Sequence, residues 1–143
     1  MEQLIGRYDI VIRALDALNI AFQKLQERTC RVSEEDYRTL RDSEIKRFEI
    51  SVDTLWKYLK HYLEMQHGII QSSPKSVFRE CLRTRILQSA EDVALALKMV
   101  DARNITSHVY KEEVAEQIHD SIGLYYHLMR RIVEAAKPHK QQG

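Results

Sequence analysis

Apolar residues recur in alternating steps of four and three along most of this chain. In the first segment, from about Met1 to Arg31, they are Leu4, Tyr8, Val11, Leu15, Leu18, Phe22 and Leu25. That spacing puts the apolar side chains on one stripe of an α-helix, as in the helices of a bundle. It returns in a second segment that stops near Gly68 and in a last one from Val114 to Ala135. Strand-like alternation extends over no useful length, so the pattern favours helices throughout.

Capping signals predict two shorter helices between the long ones. Ser73 followed by Pro74 fits an N-cap with proline at the first helical position, which predicts a helix from Pro74 to about Arg85. Residues 89–92, Ser-Ala-Glu-Asp, resemble a capping box and open a helix that runs toward Asn104. We therefore predict an all-α fold: an up-down four-helix bundle with a short extra or broken third helix.

The length of 143 residues suits a single domain with its own core. We expect residues 1–137 to form that domain and residues 138–143 to be a disordered tail. The net charge of +1 gives no general attraction for nucleic acid, so an RNA site would have to be a local patch. Cys30 and Cys81 are isolated, which predicts reduced thiols. With no secretory segment and no membrane-spanning run, we expect a cytoplasmic protein without membrane association.

The densest cluster of chemically useful groups is residues 103–110, Arg-Asn-Ile-Thr-Ser-His-Val-Tyr. Arg103 could hold a phosphate in a bidentate fork, and His108 could transfer a proton near neutral pH. Together with Asn104 and Tyr110, these are groups suited to phosphodiester chemistry without a metal. The residues alone equally allow a structural role, in which the arginine and the histidine cap carbonyl groups at a helix end.

Helical geometry limits how these groups can meet. On one unbroken helix, Arg103 and His108 would point roughly 140° apart. They can act on one phosphate only if the helix ends or bends between them, or if a second subunit completes the site. β-Branched Ile105 and Thr106, followed by Ser107, make a plausible place for such a break.

Two Glu-x-x-His pairs raise the alternative of a di-metal bundle. They are Glu64 with His67 and Glu116 with His119. In an up-down bundle the second and last helices run parallel, which places the two pairs at opposite ends. Pairs of this kind are also common by chance in a chain rich in glutamate. We therefore predict neither a metal site nor another cofactor.

A basic stripe is predicted on the short third helix, where Lys75, Arg79 and Arg83 follow one another in steps of four. Such a run is usually a solvated surface. Its place just before the helix that carries Arg103 also suits a weak contact with an RNA backbone.

The pattern Arg103-Asn104-x3-His108-x-Tyr110 resembles the signature of the HEPN superfamily, in its small bacterial branch of HepT-like toxins. Members of this branch are also described as substrate-binding partners of minimal nucleotidyltransferases. Further agreement comes from Arg47-Phe48-Glu49, Trp56-Lys57, Ser73-Pro74 and the final amphipathic helix. One departure is Lys111, where relatives often carry a residue able to cap the last helix.

The resemblance implies a homodimer in which two copies of the motif meet in a cleft, and a metal-independent ribonuclease acting on RNA such as tRNA. His108 would be general base or acid, Arg103 would stabilise the transition-state charge, and Asn104 would orient the histidine or the phosphate. A cognate minimal nucleotidyltransferase would silence the toxin by transferring AMP to Tyr110. The alternative is a non-catalytic subunit that binds substrate for the nucleotidyltransferase.

Overall fold

A computed structural model describes residues 1–28 and 33–139 of the chain. Its five α-helices are α1 (Glu2–Arg28), α2 (Glu34–His67), α3 (Pro74–Arg83), α4 (Ala90–Asn104) and α5 (Glu112–Ala135). One turn of 3₁₀-helix, Thr106–His108, joins α4 to α5. The predicted all-α bundle with a short third helix is confirmed. The predictions for Cys30 and for residues 140–143 of the tail lie outside the described residues.

The helix starts and stops follow the capping signals of the sequence. The hydroxyls of Ser33, Ser73 and Ser89 each accept a hydrogen bond from the backbone N–H three residues on, which caps α2, α3 and α4. Gly68 ends α2 in the left-handed conformation, with φ at 66°. The third helix is two residues shorter than predicted, because the chain turns after Arg83 and Arg85 has a positive φ of 63°.

Helix α2 is the longest element, and α5 runs parallel to it. At one end, Arg41 of α2 binds Glu112 at the start of α5. In the middle, the rings of Phe48 and Tyr125 stack with their centroids 5.6 Å apart. At the other end, the Tyr58 hydroxyl donates to the carbonyl that follows α5. The parallel course predicted for these two helices is therefore confirmed.

The apolar stripes of all five helices meet in one core. Leu15, Phe48 and Leu128 are fully buried representatives of α1, α2 and α5. Burying side chains of this size stabilises the fold by roughly 1.5–3 kcal/mol each before conformational entropy is subtracted. Burial also raises the pKa of the Cys81 thiol to about 12, so this cysteine is a packing residue and not a nucleophile.

Within residues 1–28 and 33–139, no helix has both the length and the apolar character that crossing a membrane requires.

Candidate functional site

The chain breaks its helical course inside the motif. Helix α4 ends at Asn104, and Ile105 leaves the helical conformation with φ at −95° and ψ at 5°. The 3₁₀ turn follows, held by a hydrogen bond of 2.9 Å from the His108 N–H to the Ile105 carbonyl. Of the two geometric solutions open to the sequence, the structure shows the helix end between Arg103 and His108. The motif is therefore carried by a turn between α4 and α5.

Arg103 lies against two carboxylates of α2. Its Nε is 2.6 Å from Asp53 Oδ1 and its Nη2 is 2.9 Å from Asp53 Oδ2, a two-point ion pair. Nη2 is also 3.5 Å from Glu49 Oε1. The hydrogen bond to Asp53 raises the pKa of the guanidinium above its ordinary value, so Arg103 is a permanent cation. Its side chain keeps 27% exposure, which leaves it within reach of a ligand.

Thr106 joins this ion pair to the 3₁₀ turn. The residue is buried, and its hydroxyl accepts a hydrogen bond of 3.3 Å from Arg103 Nη1. The same Oγ1 lies 3.2 Å from Glu49 Oε2 and 2.8 Å from the Arg103 carbonyl, the two acceptors within reach of its single proton. The turn is thereby fixed to α2 as well as to α4.

His108 and Tyr110 form an exposed pair at the other side of the turn. The His108 Nδ1 is 3.3 Å from the Tyr110 hydroxyl, and the two rings meet edge to face. Which partner donates depends on the histidine tautomer. Tyr110 keeps 74% exposure, so its phenol is open to an incoming reagent. The Lys111 ammonium lies 6.0 Å from the tyrosine ring centroid, at the outer limit of a cation–π contact.

A single chain does not bring the four motif groups onto one point. Arg103 faces α2, whereas His108 faces Tyr110, and the described residues show no hydrogen bond between Arg103 and His108. Asn104 is exposed at the last position of α4. The guanidinium of Arg103 and the imidazole of His108 are thus close in the chain but directed to different neighbours.

The start of α5, directly after Tyr110, is held by a residue that the sequence analysis did not single out. Lys111 occupies the N-cap position and makes no capping hydrogen bond, as its side chain predicts. Arg41, only 2% exposed, instead binds Glu112 through Nη1 and, at 3.2 Å, through Nη2. Its Nη1 also lies 2.9 Å from Glu116 Oε1. This ion-pair cluster fixes the first turn of α5 to α2 and so limits where the 105–111 segment can lie.

Neither Glu-x-x-His pair forms a metal site in this fold. His119 Nδ1 lies 2.7 Å from Glu44 Oε1, and Glu116 is taken by Arg41. Glu64 and His67 lie at the opposite end of α2. Across residues 1–28 and 33–139, no group of three or more His, Cys, Asp and Glu side chains is placed to hold a metal ion.

The predicted basic stripe on α3 is partly neutralised by carboxylates. Lys75 Nζ lies 2.7 Å from Asp101 Oδ1 on α4, and Arg83 Nη2 lies 3.0 Å from Glu80 Oε2. Arg79 is exposed. Contact of this stripe with RNA stays a prediction.

Fold and site together define a class: a small helical bundle that carries an Arg-Asn-x3-His-x-Tyr motif on the turn before its last helix. Residues 7–137 match the model of the family described as nucleotidyltransferase substrate binding protein like. The chain belongs to this HepT-like family, and the resemblance stated from the motif is confirmed.

Solved structures share the fold. The protein ttk003001694 from Thermus thermophilus is 31% identical, with a TM-score of 0.68, over 85% of this chain and 99% of that one. HI0074 from Haemophilus influenzae, described as a substrate-binding domain of a nucleotidyltransferase, is 24% identical, with a TM-score of 0.64, over 87% and 99%. A chain of a toxin–antitoxin structure with AMP-PNP is 18% identical, with a TM-score of 0.65, over 90% and 98%. No match was found among curated proteins.

Proposed function

We propose that this protein is a HEPN-type, metal-independent ribonuclease toxin whose activity is blocked by AMP transfer to Tyr110. The observation that carries the proposal is the exposed His108–Tyr110 pair on the turn that directly follows Arg103. A proton carrier, a fixed cation and an accessible phenol are then all presented by one segment of eight residues. Membership of the family supports a nucleotidyltransferase as the partner.

The cleavage step needs only groups of the motif and the RNA itself. His108 removes the proton of a ribose 2′-hydroxyl, and the 2′-oxygen forms a bond to the adjacent phosphorus. The bond from phosphorus to the 5′-oxygen breaks, and that oxygen leaves with a proton from the imidazolium of His108. The products are a 2′,3′-cyclic phosphate and a 5′-hydroxyl. Asn104, exposed beside Arg103, orients the histidine or the phosphate on this account.

Arg103 stabilises the charge that develops on the phosphoryl oxygens. The Nε and Nη2 groups of the guanidinium are directed to the carboxylates of Asp53 and Glu49. Nη1 donates one of its protons to the Thr106 hydroxyl. The second Nη1 proton remains for a phosphate oxygen. A donor whose direction is fixed by its neighbours needs no reorganisation when the phosphate arrives.

A homodimer completes the site on this account. Within one chain Arg103 and His108 have different neighbours, so a second copy is needed to bring a histidine to the arginine of its partner. Ile105 and Tyr110 are exposed apolar surfaces on the motif segment, with 37% and 74% of their areas accessible, and would be covered by such a contact.

AMP transfer would act on the same turn. The Tyr110 oxygen attacks the α-phosphorus of ATP, the bond to pyrophosphate breaks, and the phenolic proton passes to His108 or to water. The product carries a phosphodiester anion beside His108, where it would fill the RNA cleft and pair with Arg103 of either subunit.

A non-catalytic substrate-binding subunit is the alternative function. The two-point ion pair favours it, because Arg103 already has the carboxylate of Asp53 as a partner. On that account the motif would hold the tyrosine in place for the nucleotidyltransferase and would cleave nothing.

End-group analysis separates the two functions. Purified protein is incubated with a tRNA pool in EDTA, and the fragment ends are identified by mass spectrometry. The ribonuclease proposal predicts 2′,3′-cyclic phosphate and 5′-hydroxyl ends. Intact tRNA from a protein shown to be folded would support the alternative, and 5′-phosphate ends would contradict the mechanism.

Co-expression with the cognate nucleotidyltransferase tests the modification. Intact-mass measurement should show added AMP on the parent protein, and peptide mapping should place it on Tyr110. Tyr110→Phe should stay unmodified, whereas the control Tyr126→Phe, which changes a half-buried tyrosine of α5, should be modified like the parent. AMP on another residue of both proteins would contradict the assignment.

A further inference from the structure

A groove runs between α1 and α2 on the outside of the bundle. It contains two depressions, with volumes of about 250 and 150 Å³. Its α1 side is formed by Arg7, Ile10, Ala17, Ile20, Ala21 and Lys24. We call this surface, together with the α2 residues that face it, the α1–α2 groove.

The α2 side of the groove is formed by Leu40, Ser43, Arg47, Thr54 and Lys57. These positions step by three, four, seven and three, so they lie on one stripe of the helix. On α1, positions 7, 10, 17, 21 and 24 step by three, seven, four and three, and position 20 lies beside this stripe. Because α1 and α2 are antiparallel, the two depressions lie in line along the seam between the helices, which extends about 25 Å at 1.5 Å per residue from position 7 to position 24.

The groove has a small-residue floor and an apolar rim. Ala17, Ala21 and Ser43 leave room between the two helices. Ile10 and Ile20 are exposed by 54% and 57%, and they give each depression an apolar edge. Two heptad stripes with a shallow channel between them match the surface that a third helix packs against.

Charge in the groove has one sign. Arg7, Lys24, Arg47 and Lys57 line it, and none of the described residues that line either depression is a carboxylate. None of these four cations has an ion pair in the part of the chain that the structure describes. Burial, Arg7 and Lys60 together lower the pKa of nearby His61, as expected beside a positive surface.

We propose that the α1–α2 groove is the docking site for an acidic amphipathic helix of a partner protein. Apolar residues of that helix would cover Ile10 and Ile20, and its flanking carboxylates would pair with the four cations of the groove. Complementary charge of this kind sets the choice and orientation of a partner helix.

Charge and composition argue against the other occupants. A second copy of this chain docked symmetrically would bring the same cations face to face. An RNA backbone would use the cations but would leave Ile10 and Ile20 exposed to water. Tyr58, the aromatic residue in the lining of the two depressions, is 1% exposed and offers no stacking surface to a base.

The proposal is independent of the ribonuclease assignment. Arg47 and Thr54 face the groove, whereas Glu49 and Asp53 face α4 from another side of the same helix. Substitutions in the groove therefore leave the contacts of Arg103 in place.

The test uses a fluorescein-labelled synthetic peptide of about 18 residues, long enough to span the groove as a helix. It carries leucines at the first and fourth heptad positions and glutamates beside them. Fluorescence anisotropy should show saturable binding to the parent protein that weakens with salt. The double variant Lys24→Glu/Lys57→Glu should bind at least tenfold more weakly. Lys98→Glu, which reverses an exposed lysine on α4, should bind like the parent.

A separate variant tests the apolar contacts of the groove. Ala17→Gln fills the floor without a change of charge and should weaken binding several-fold. A peptide with lysine in place of each glutamate should not bind. Circular dichroism and urea unfolding confirm that each variant is folded.

Three results would overturn the proposal. The first is absence of peptide binding to the parent, or equal binding by the double variant. The second is a nucleic-acid result: the double variant binds a labelled oligonucleotide more weakly than the parent, and Ala17→Gln binds the peptide as well as the parent does. That pair of results would identify the groove as a nucleic-acid surface. The third is a change of oligomeric state in the groove variants, which light scattering after size exclusion would reveal and which would identify a second copy as the occupant.

Discussion

Asp53 of α2 holds Arg103 of α4 by two hydrogen bonds, with Nε 2.6 Å from Oδ1 and Nη2 2.9 Å from Oδ2. The cation of the motif is therefore oriented by a helix that lies 50 residues earlier in the chain. This pairing fixes which edge of the guanidinium is left open to a ligand. It also ties the C-terminal end of α4 to the middle of α2.

Replacing Asp53 by asparagine should loosen that arrangement. Because the pair is partly exposed, we expect Asp53→Asn to lower the free energy of unfolding by only about 1 kcal/mol, measured by urea denaturation. RNA cleavage should fall about tenfold in kcat with a smaller change in KM, since Arg103 loses its fixed direction. Asp9→Asn, on the exposed face of α1, is the control and should change neither. Faster cleavage by Asp53→Asn would show that the carboxylate competes with the phosphate instead of positioning the cation.

The Arg41 cluster should make stability sensitive to acid. The hydrogen bond from Arg41 lowers the pKa of Glu112. Burial raises the pKa of Glu116, but hydrogen bonds from Arg41 and Tyr37 together with the charge of Arg41 lower it overall. Carboxylates with lowered pKa values stabilise the fold above their unfolded pKa, and that contribution is lost as the pH falls through the folded pKa. Unfolding free energy should therefore decline below about pH 4.5. Arg41→Met should cost about 2 kcal/mol at neutral pH and should flatten this decline. An unchanged slope in the variant would contradict the account.

His119 should give the opposite dependence on pH. Its hydrogen bond to the buried carboxylate of Glu44 raises its pKa, with further support from Glu116 and Asp120. Because the pKa of His119 is higher in the folded protein, the protonated ring stabilises the fold. This contribution is complete below the pKa in the unfolded chain, about 6.5, and is lost as the pH rises through the pKa in the folded protein. Urea unfolding of the parent should show this loss toward alkaline pH, and His119→Gln should abolish it. Nuclear magnetic resonance titration of the ring protons locates the pKa directly, and an unshifted titration would refute the explanation.

Two glycines should respond to alanine in opposite directions. Gly68 ends α2 at φ 66°, where a Cβ is strained, so Gly68→Ala should lower the free energy of unfolding by about 1–2 kcal/mol. Gly6 lies inside α1 with open space around its Cα, and Gly6→Ala should stabilise the protein by about 0.5–1 kcal/mol through helix propensity. Thermal unfolding of both variants measures the difference, and equal shifts would contradict the local explanation.

Local signals made most of the fold predictable. Apolar spacing located the long helices, and Ser73, Ser89 and Gly68 marked starts and stops, because caps depend on neighbours within a few residues. Helical geometry required either a break in the helix between Arg103 and His108 or a second subunit to complete the site. The β-branched residues at 105 and 106 favoured the break, and α4 ends there.

Partners distant in the chain were not predictable. Arg41 continues the core stripe of Ile45 and Phe48, and a charged residue at such a position is a signal that a buried ion pair exists. Its partner Glu112 lies 71 residues on, and no local pattern selects it from the other carboxylates. Asp53 likewise resembles any acid on a helix surface until α4 packs beside it.

The catalytic role that we propose for His108 is tested most directly by RNA cleavage in EDTA. The parent protein, His108→Ala and the control His127→Ala, which removes an exposed histidine of α5, are compared on one tRNA pool after circular dichroism has shown equal folding. The account predicts cleavage by the parent and by His127→Ala, and a loss of at least a hundredfold for His108→Ala. Equal cleavage by all three proteins, or by none, would contradict the assignment of His108 as the proton carrier.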